Sequence, residues 1–356
     1  MKKNTLIIVM SYFYFSIVVS CATKNQTKRN HFLPNSAYVN PSHPSVDWSK
    51  LHAQNDSPNV KTFLELSKAT QSKIREYQIP YSWKGISENW DYHYFKSKDK
   101  YTFMRKNGVD CTRFLRHIFL EEMKLPYNSK EKNYPILSHS FSQNRSSSEL
   151  KNFIPIKKLR NGFKPKSGDI LAFPGHALVV IDAKNCIAMQ SASWLCKKFA
   201  LNNCYQSASG KHAGVTLYKL MNKNDCENGT WKQLDAAKNK FTAAWRHKSF
   251  NTWIESMPQK AKPHETITLT GYNISRRYIY FSGSHTPVLT SYAHEHKHNE
   301  HGDLIDIVTV KVPSTAKSGK LKIYWGNHLK PDSKHTVSSQ KIINIEQQFL
   351  TKNRKL

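Results

Sequence analysis

Cys111 stands in the run Gly108-Val109-Asp110-Cys111-Thr112-Arg113-Phe114-Leu115, where a capping aspartate meets the first apolar positions of a helical repeat. A thiol at a helix start lies beside unpaired N–H groups and the positive end of the helix dipole, which favours thiolate and so makes a nucleophile. Such a nucleophile needs a base, and the base needs a group that orients it. His176 precedes the apolar run Ala177-Leu178-Val179-Val180-Ile181, so its imidazole stands at a sheet edge facing the helix start. The third position falls on the adjoining strand. Gln190, closing Cys186-Ile187-Ala188-Met189, lies one hairpin away, and Ser191 and Ser193 are the alternatives. Capping accounts for Asp110 without a proton-transfer role. The chemistry this predicts is attack on an acyl carbon, with backbone N–H groups near Cys111 holding the oxyanion.

In a chain with 17 histidines a Cys–His pair means little by itself, so the surrounding elements must carry the reading. Phe63, Leu64, Leu66, Ile74 and Tyr77 recur at mostly helical intervals and predict a helix over residues 61–77. Phe114, Leu115, Ile118, Phe119, Met123 and Leu125 share one helical face until Pro126. Residues 170–173, 177–181, 187–189 and 214–218 are short apolar runs between turn residues and predict an antiparallel sheet. Residues 85–110 are aromatic and charged without a clean period, an excursion packed over the site within reach of substrate. Residues 128–149 read as a polar connection or the approach to a second helix. Leu234, Ala237, Phe241, Ala244 and Trp245 form one stripe, which predicts a helix over residues 231–253 joining two domains.

Beyond residue 263 the pattern alternates, in Thr266-Ile267-Thr268-Leu269-Thr270, Tyr278-Ile279-Tyr280-Phe281 and residues 304–312, 320–325 and 337–345. Five or more such strands with no helix signal predict an all-β sandwich.

Four segments occur in order: Pro80-Tyr81-Ser82-Trp83-Lys84-Gly85, Val109-Asp110-Cys111-Thr112-Arg113-Phe114, Gly168-Asp169-Ile170-Leu171-Ala172-Phe173 and Gly175-His176-Ala177-Leu178-Val179-Val180. Over residues 60–220 the chain resembles the NlpC-type cell-wall peptidases, a papain-like family of α+β fold. The resemblance implies a thiolate at Cys111, a base at His176, a polar orienter at Gln190 and Tyr81 close to the thiol. It also implies a peptidoglycan stem peptide as substrate, cut next to γ-linked D-glutamate, and no cofactor. Tyr81, Trp83, Asp110 and Arg113 are the residues expected to line the substrate passage. Two features depart from the family. Thr112-Arg113 replaces the usual Ser-Gly after the cysteine, placing a bulky cation there, and the excursion over residues 85–110 is long. Thr268-Leu269-Thr270-Gly271-Tyr272-Asn273, Val310-Lys311-Val312-Pro313 and Gly319-Lys320-Leu321-Lys322-Ile323 resemble the immunoglobulin-like TIG module, which bears on fold and not on function.

The amino terminus has a basic head, Met1-Lys2-Lys3-Asn4, and an apolar run over residues 5–19, a signal peptide too short to span a membrane. Val18-Val19-Ser20-Cys21 resembles a lipobox, which implies a lipidated Cys21 and an exported, membrane-anchored lipoprotein, at the outer membrane in a Gram-negative cell. With 54 Lys and Arg against 25 Asp and Glu, the chain carries a formal charge of +29. That excess calls for an anionic partner. The charge is spread and no nucleic-acid motif accompanies it, so envelope polymers and lipid headgroups are expected rather than nucleic acid. Cys186, Cys196, Cys204 and Cys226 remain; without a Cys-x-x-Cys pair they read as two disulfides, with spacing favouring Cys196–Cys204 and Cys186–Cys226. His294, His296, His298 and His301 fall in one stretch read as a solvated loop, with zinc or copper binding the minority alternative.

The expected organisation is a signal peptide (1–20), a polar tether (21–59), the peptidase domain (60–228), a connecting helix (229–258), the sandwich (259–348) and a basic tail (349–356). Two other functions fit the same residues. One is acyl transfer or lipid hydrolysis by the same thiolate, and the other is an envelope-binding scaffold whose Cys and His are idle.

Overall fold

The computed structural model describes residues 45–77, 79–82, 89–128, 134–143, 145, 147–156, 165–192, 214–219, 241–298, 304–326 and 335–346. The leader, Cys21, Trp83, Ser193, Cys196, Cys204, Cys226, His301 and the basic tail lie outside them.

The end of the expected tether is folded. Helix α1 (Trp48–Ala53) is capped by Asp47, which accepts from the Lys50 N–H at 3.0 Å, and its Leu51 is buried in the core. Helix α2 (Pro58–Tyr77) follows and buries Phe63, Leu64 and Ile74. The ring of Phe63 stacks on Phe119 with centroids 6.4 Å apart. Fully burying an aromatic ring of this kind stabilises by about 1.5–3 kcal/mol.

The excursion is helical, in two short pieces: α3 (Trp90–Lys96) and α4 (Lys100–Asn107). Asp99 caps α4, accepting from the Tyr101 and Thr102 N–H groups. Their period is hard to see because each helix makes barely two turns, while exposed Tyr92 interrupts the buried stripe of Trp90 and Tyr94. Helix α5 (Cys111–Arg116) then runs into a π-helical turn, His117–Glu122, so the expected long helix carries a wide turn in its second half. Helix α6 (Ser138–Ser142) is short.

Six strands form one antiparallel sheet in the order β1-β6-β2-β3-β4-β5: β1 (Phe153–Pro155), β2 (Ile170–Phe173), β3 (His176–Asp182), β4 (Ile187–Ser191), β5 (Val215–Lys219) and β6 (Ala243–His247). All of β2, β3 and β4 is buried, as central strands covered on both faces must be.

Strand β6 corrects the expected connecting helix. Residues 243–247 insert between β1 and β2, with Trp245 opposite both Pro155 and Ile170. Trp245 is fully buried and its indole N–H donates to the Phe141 carbonyl at 2.6 Å, while Arg246 on the other face reaches Asp169. Completing the sheet overrides a local helical period. The link between the units is only a 3-10 turn (Lys248–Phe250) ahead of β7 (Trp253–Ser256).

The second unit adds β8 (Lys260–Ala261), β9 (Thr266–Tyr272), β10 (Tyr278–Tyr280), β11 (Val288–Leu289), β12 (Glu295–His298), β13 (Leu304–Lys311), β14 (Lys322–Tyr324), β15 (Thr336–Ser338) and β16 (Asn344–Ile345). They make two four-stranded sheets, β12-β13-β9-β7 and β11-β10-β14-β15, and a parallel pair β8–β16. Leu269, Val308 and Val310 from one sheet share a core with Ile279, Ile323 and Val337 from the other. The run expected as one strand over residues 337–345 divides into β15 and β16. At the junction His247 meets Trp325 edge to face at 4.9 Å, and Asn273 donates to Thr252 at 3.0 Å. No helix among the described residues is long and apolar enough to cross a membrane.

Candidate active site

Asp110 sets the start of α5. One carboxylate oxygen accepts from the Thr112 N–H at 2.9 Å and the Arg113 N–H at 2.8 Å, the geometry of an N-cap. The residue before it, Val109, is held on both sides. Its N–H donates to the Pro80 carbonyl at 3.0 Å, and its carbonyl accepts from Ser191 Oγ at 2.7 Å. Gly108 has φ +74°, and a Cβ there would lie 2.4 Å from that of Ser82, so this approach requires glycine. Gly214 allows the same closeness at the start of β5, where a Cβ would lie 2.5 Å from the Tyr81 nitrogen. Tyr81 is thus clamped between the lead-ins to α5 and β5. Its phenol pKa is raised, first by burial and then by the charges of Cys111 and Asp110.

Cys111 is 6 % exposed and is a free cysteine. Helix α5 packs on β3 and β4. Those strands form the hairpin that the site requires, with Val179 opposite Met189 and Val180 opposite Ala188. His176 and Gln190 are then diagonal neighbours on one face. Nε2 of His176 lies 2.5 Å from Oε1 of Gln190. With the amide oxygen accepting, Nε2 carries the proton and Nδ1 is the basic nitrogen of the neutral ring.

The electrostatics reverse one expectation. Burial lifts the Cys111 thiol to about 12 and the Asp110 carboxylate adds to it, outweighing the N–H groups of Ala177, Thr112 and Cys111 that pull the other way. Burial also lowers His176 to about 4, against the opposing effects of Gln190 and Asp110. The helix start does not win here. Thiol and imidazole are both uncharged near pH 7.

Arg113 lies 9 % exposed in a network of charges. Its guanidinium donates to Asp110 at 2.5 Å and to Asp91 of α3 at 2.9 and 3.1 Å, and Arg116 reaches the same Asp91 at 2.6 Å. The cation expected in the substrate passage is therefore bound between two carboxylates, and it ties the excursion to the helix that carries the thiol. The Arg116 guanidinium also lies over the rings of Tyr94 and Phe95, at 5.1 and 4.8 Å. Asp91 and Arg116 escaped the sequence reading because they meet only through the fold of α3. The one local signal was an unpaired-looking acid in an aromatic run.

Of the alternatives for the third position, Ser191 spends its hydroxyl on Val109 and faces away from that role. Cys186 is in a disulfide, with its partner outside the described residues. The histidine stretch is strand rather than loop over residues 295–298. There His296 pairs with Asp306 at 3.1 Å, and His294 contacts Thr309 at 3.2 Å. Among the described residues no cluster of three or more His, Cys, Asp or Glu could hold a metal ion.

No family model, curated protein or solved structure matches the chain.

Proposed function

We propose that the chain is a cysteine hydrolase of papain-like, NlpC-type arrangement acting on amide bonds of cell-wall peptide, followed by an immunoglobulin-like TIG sandwich. What carries this reading is the packing of helix α5, which starts at the capped Cys111, on the strand that presents His176 to Gln190 at 2.5 Å. His176 Nδ1 takes the thiol proton as sulfur attacks the amide carbon. The N–H groups around Cys111 hold the oxyanion, and the imidazolium returns the proton to the leaving amine. Water then attacks the thioester with the same base, releasing the acid. Because the resting pair is neutral, deprotonation accompanies attack instead of preceding it.

Tyr81 faces the reacting sulfur and is a substrate contact, and Trp83 belongs to the same segment. Asp110 and Arg113 hold the helix rather than the substrate. A lipid on Cys21 and the basic excess would keep the enzyme on an anionic envelope, in contact with its polymer. Product masses from purified peptidoglycan fragments, with phospholipid as the parallel substrate, test the reading. New amine and carboxylate ends from the peptide support it. Fatty acid release without peptide cleavage would instead favour a lipid hydrolase.

A further inference from the structure

The junction between the two units holds a cleft of about 250 Å3 that the hydrolase reading does not use. We infer that it captures the carboxyl end of a short peptide. Ser57, immediately before the 20-residue helix α2, lines it. The residue is buried at 5 % exposure, and its hydroxyl has no hydrogen-bond partner among the described residues. A buried hydroxyl left unpaired is costly, and at a helix start it sits among outward-pointing N–H groups and the positive end of the dipole. The first turn of α2 contains no acidic residue to answer that field. Lys166 and Lys184 stand exposed on the rim.

The remaining lining decides which anion fits. Val60, Phe250, Trp253 and Tyr272 give the cleft an apolar floor, which suits a side chain and not a bare inorganic anion. The carboxylates in the lining are those of Asp182, occupied by the Asn185 backbone and side-chain N–H groups, and of exposed Asp56, whose charge also reaches Glu255. Arg246 is engaged with Asp169 at 2.7 and 2.8 Å. Asp56 disfavours a multiply charged anion and would accept from a peptide N–H. One carboxylate, one apolar side chain and one amide N–H together describe a peptide terminus. The cleft is distinct from the thiol: Asp182 and His176 are the two ends of β3, about 20 Å apart along the strand.

The test is calorimetric titration of the full chain carrying Cys111→Ala with Nα-acetyl-Ala-Ala as the free acid and as its carboxamide. The acid should bind at least about tenfold more tightly than the amide. Ser57→Ala and the rim substitution Lys184→Glu should each weaken the acid by about five- to tenfold at unchanged melting temperature. Equal affinity for acid and amide, no binding of either, or full retention in Lys184→Glu overturns the inference. Turnover by the wild-type thiol is read separately, so this site and the hydrolase reading fail independently.

Discussion

The thiol of Cys111 and the imidazole of His176 are both uncharged near pH 7, since burial moves one up to about 12 and the other down to about 4. Alkylation of Cys111 by iodoacetamide should therefore keep accelerating from pH 7 to pH 10, following the rising thiolate fraction. A plateau below pH 8 would instead reveal a standing thiolate–imidazolium pair. His176 and Gln190 should act as a unit. His176→Ala should lower turnover by roughly 10⁴-fold, and Gln190→Ala by about ten- to a thousandfold. An orienter has no use without its ring, so the double variant should resemble His176→Ala alone, and multiplied losses would move the orienting role elsewhere. These three residues were legible because each sits beside a local marker: a capping Asp110, the start of an apolar strand, the end of the next. The thiol's protonation state was not legible. It depends on how deeply the tertiary fold buries the helix start.

At the scale of elements, α2 and the four strands β2 to β5 followed from apolar spacing, whereas β1 and β6 of the same sheet did not. Ala244 and Trp245 of β6, with Phe241 ahead of it, match a helical stripe, and only the gap between β1 and β2 makes residues 243–247 a strand. The excursion was equally opaque, because α3 is fixed by charges that meet 22 and 25 residues away in Arg113 and Arg116. Breaking that cluster from one side leaves buried charge unpaired. Asp91→Asn should cost about 3–5 kcal/mol in urea unfolding at pH 7. A loss under 1 kcal/mol would show that the network contributes little. In the π-helical turn, burial tends to raise Glu122, but His117, Lys73 and Tyr101 together hold it at about 2. A folded value below the unfolded one near 4.5 stabilises fully above pH 4.5, and that contribution disappears as pH falls toward 2. The stability gap between wild type and Glu122→Gln should close over that window, and a gap independent of pH would contradict the pairing.

Across the whole molecule, two buried histidines limit acid tolerance. His176 and His247 are both lowered to about 4, chiefly by burial. The unfolded chain protonates both near 6.5 while the folded chain does not. Stability is therefore complete above pH 6.5 and declines as pH drops toward 4. His247 also bridges the units, donating from Nε2 to the Pro126 carbonyl, accepting at Nδ1 from Ser249 and packing on Trp325. His247→Asn should flatten the acid slope, and an unchanged slope would mean that other groups set it. The change to alternating apolar residues after residue 263 signalled the strands β9, β10, β13 and β14, but not β7, which starts ten residues earlier at Trp253. The junction was not legible, since it depends on contacts between distant segments.

The most direct measurement compares wild type and Cys111→Ala on the same purified peptidoglycan fragments, with circular dichroism confirming that both are folded. The account predicts new peptide ends from the wild type and none from the variant. Near-normal product from Cys111→Ala would contradict it.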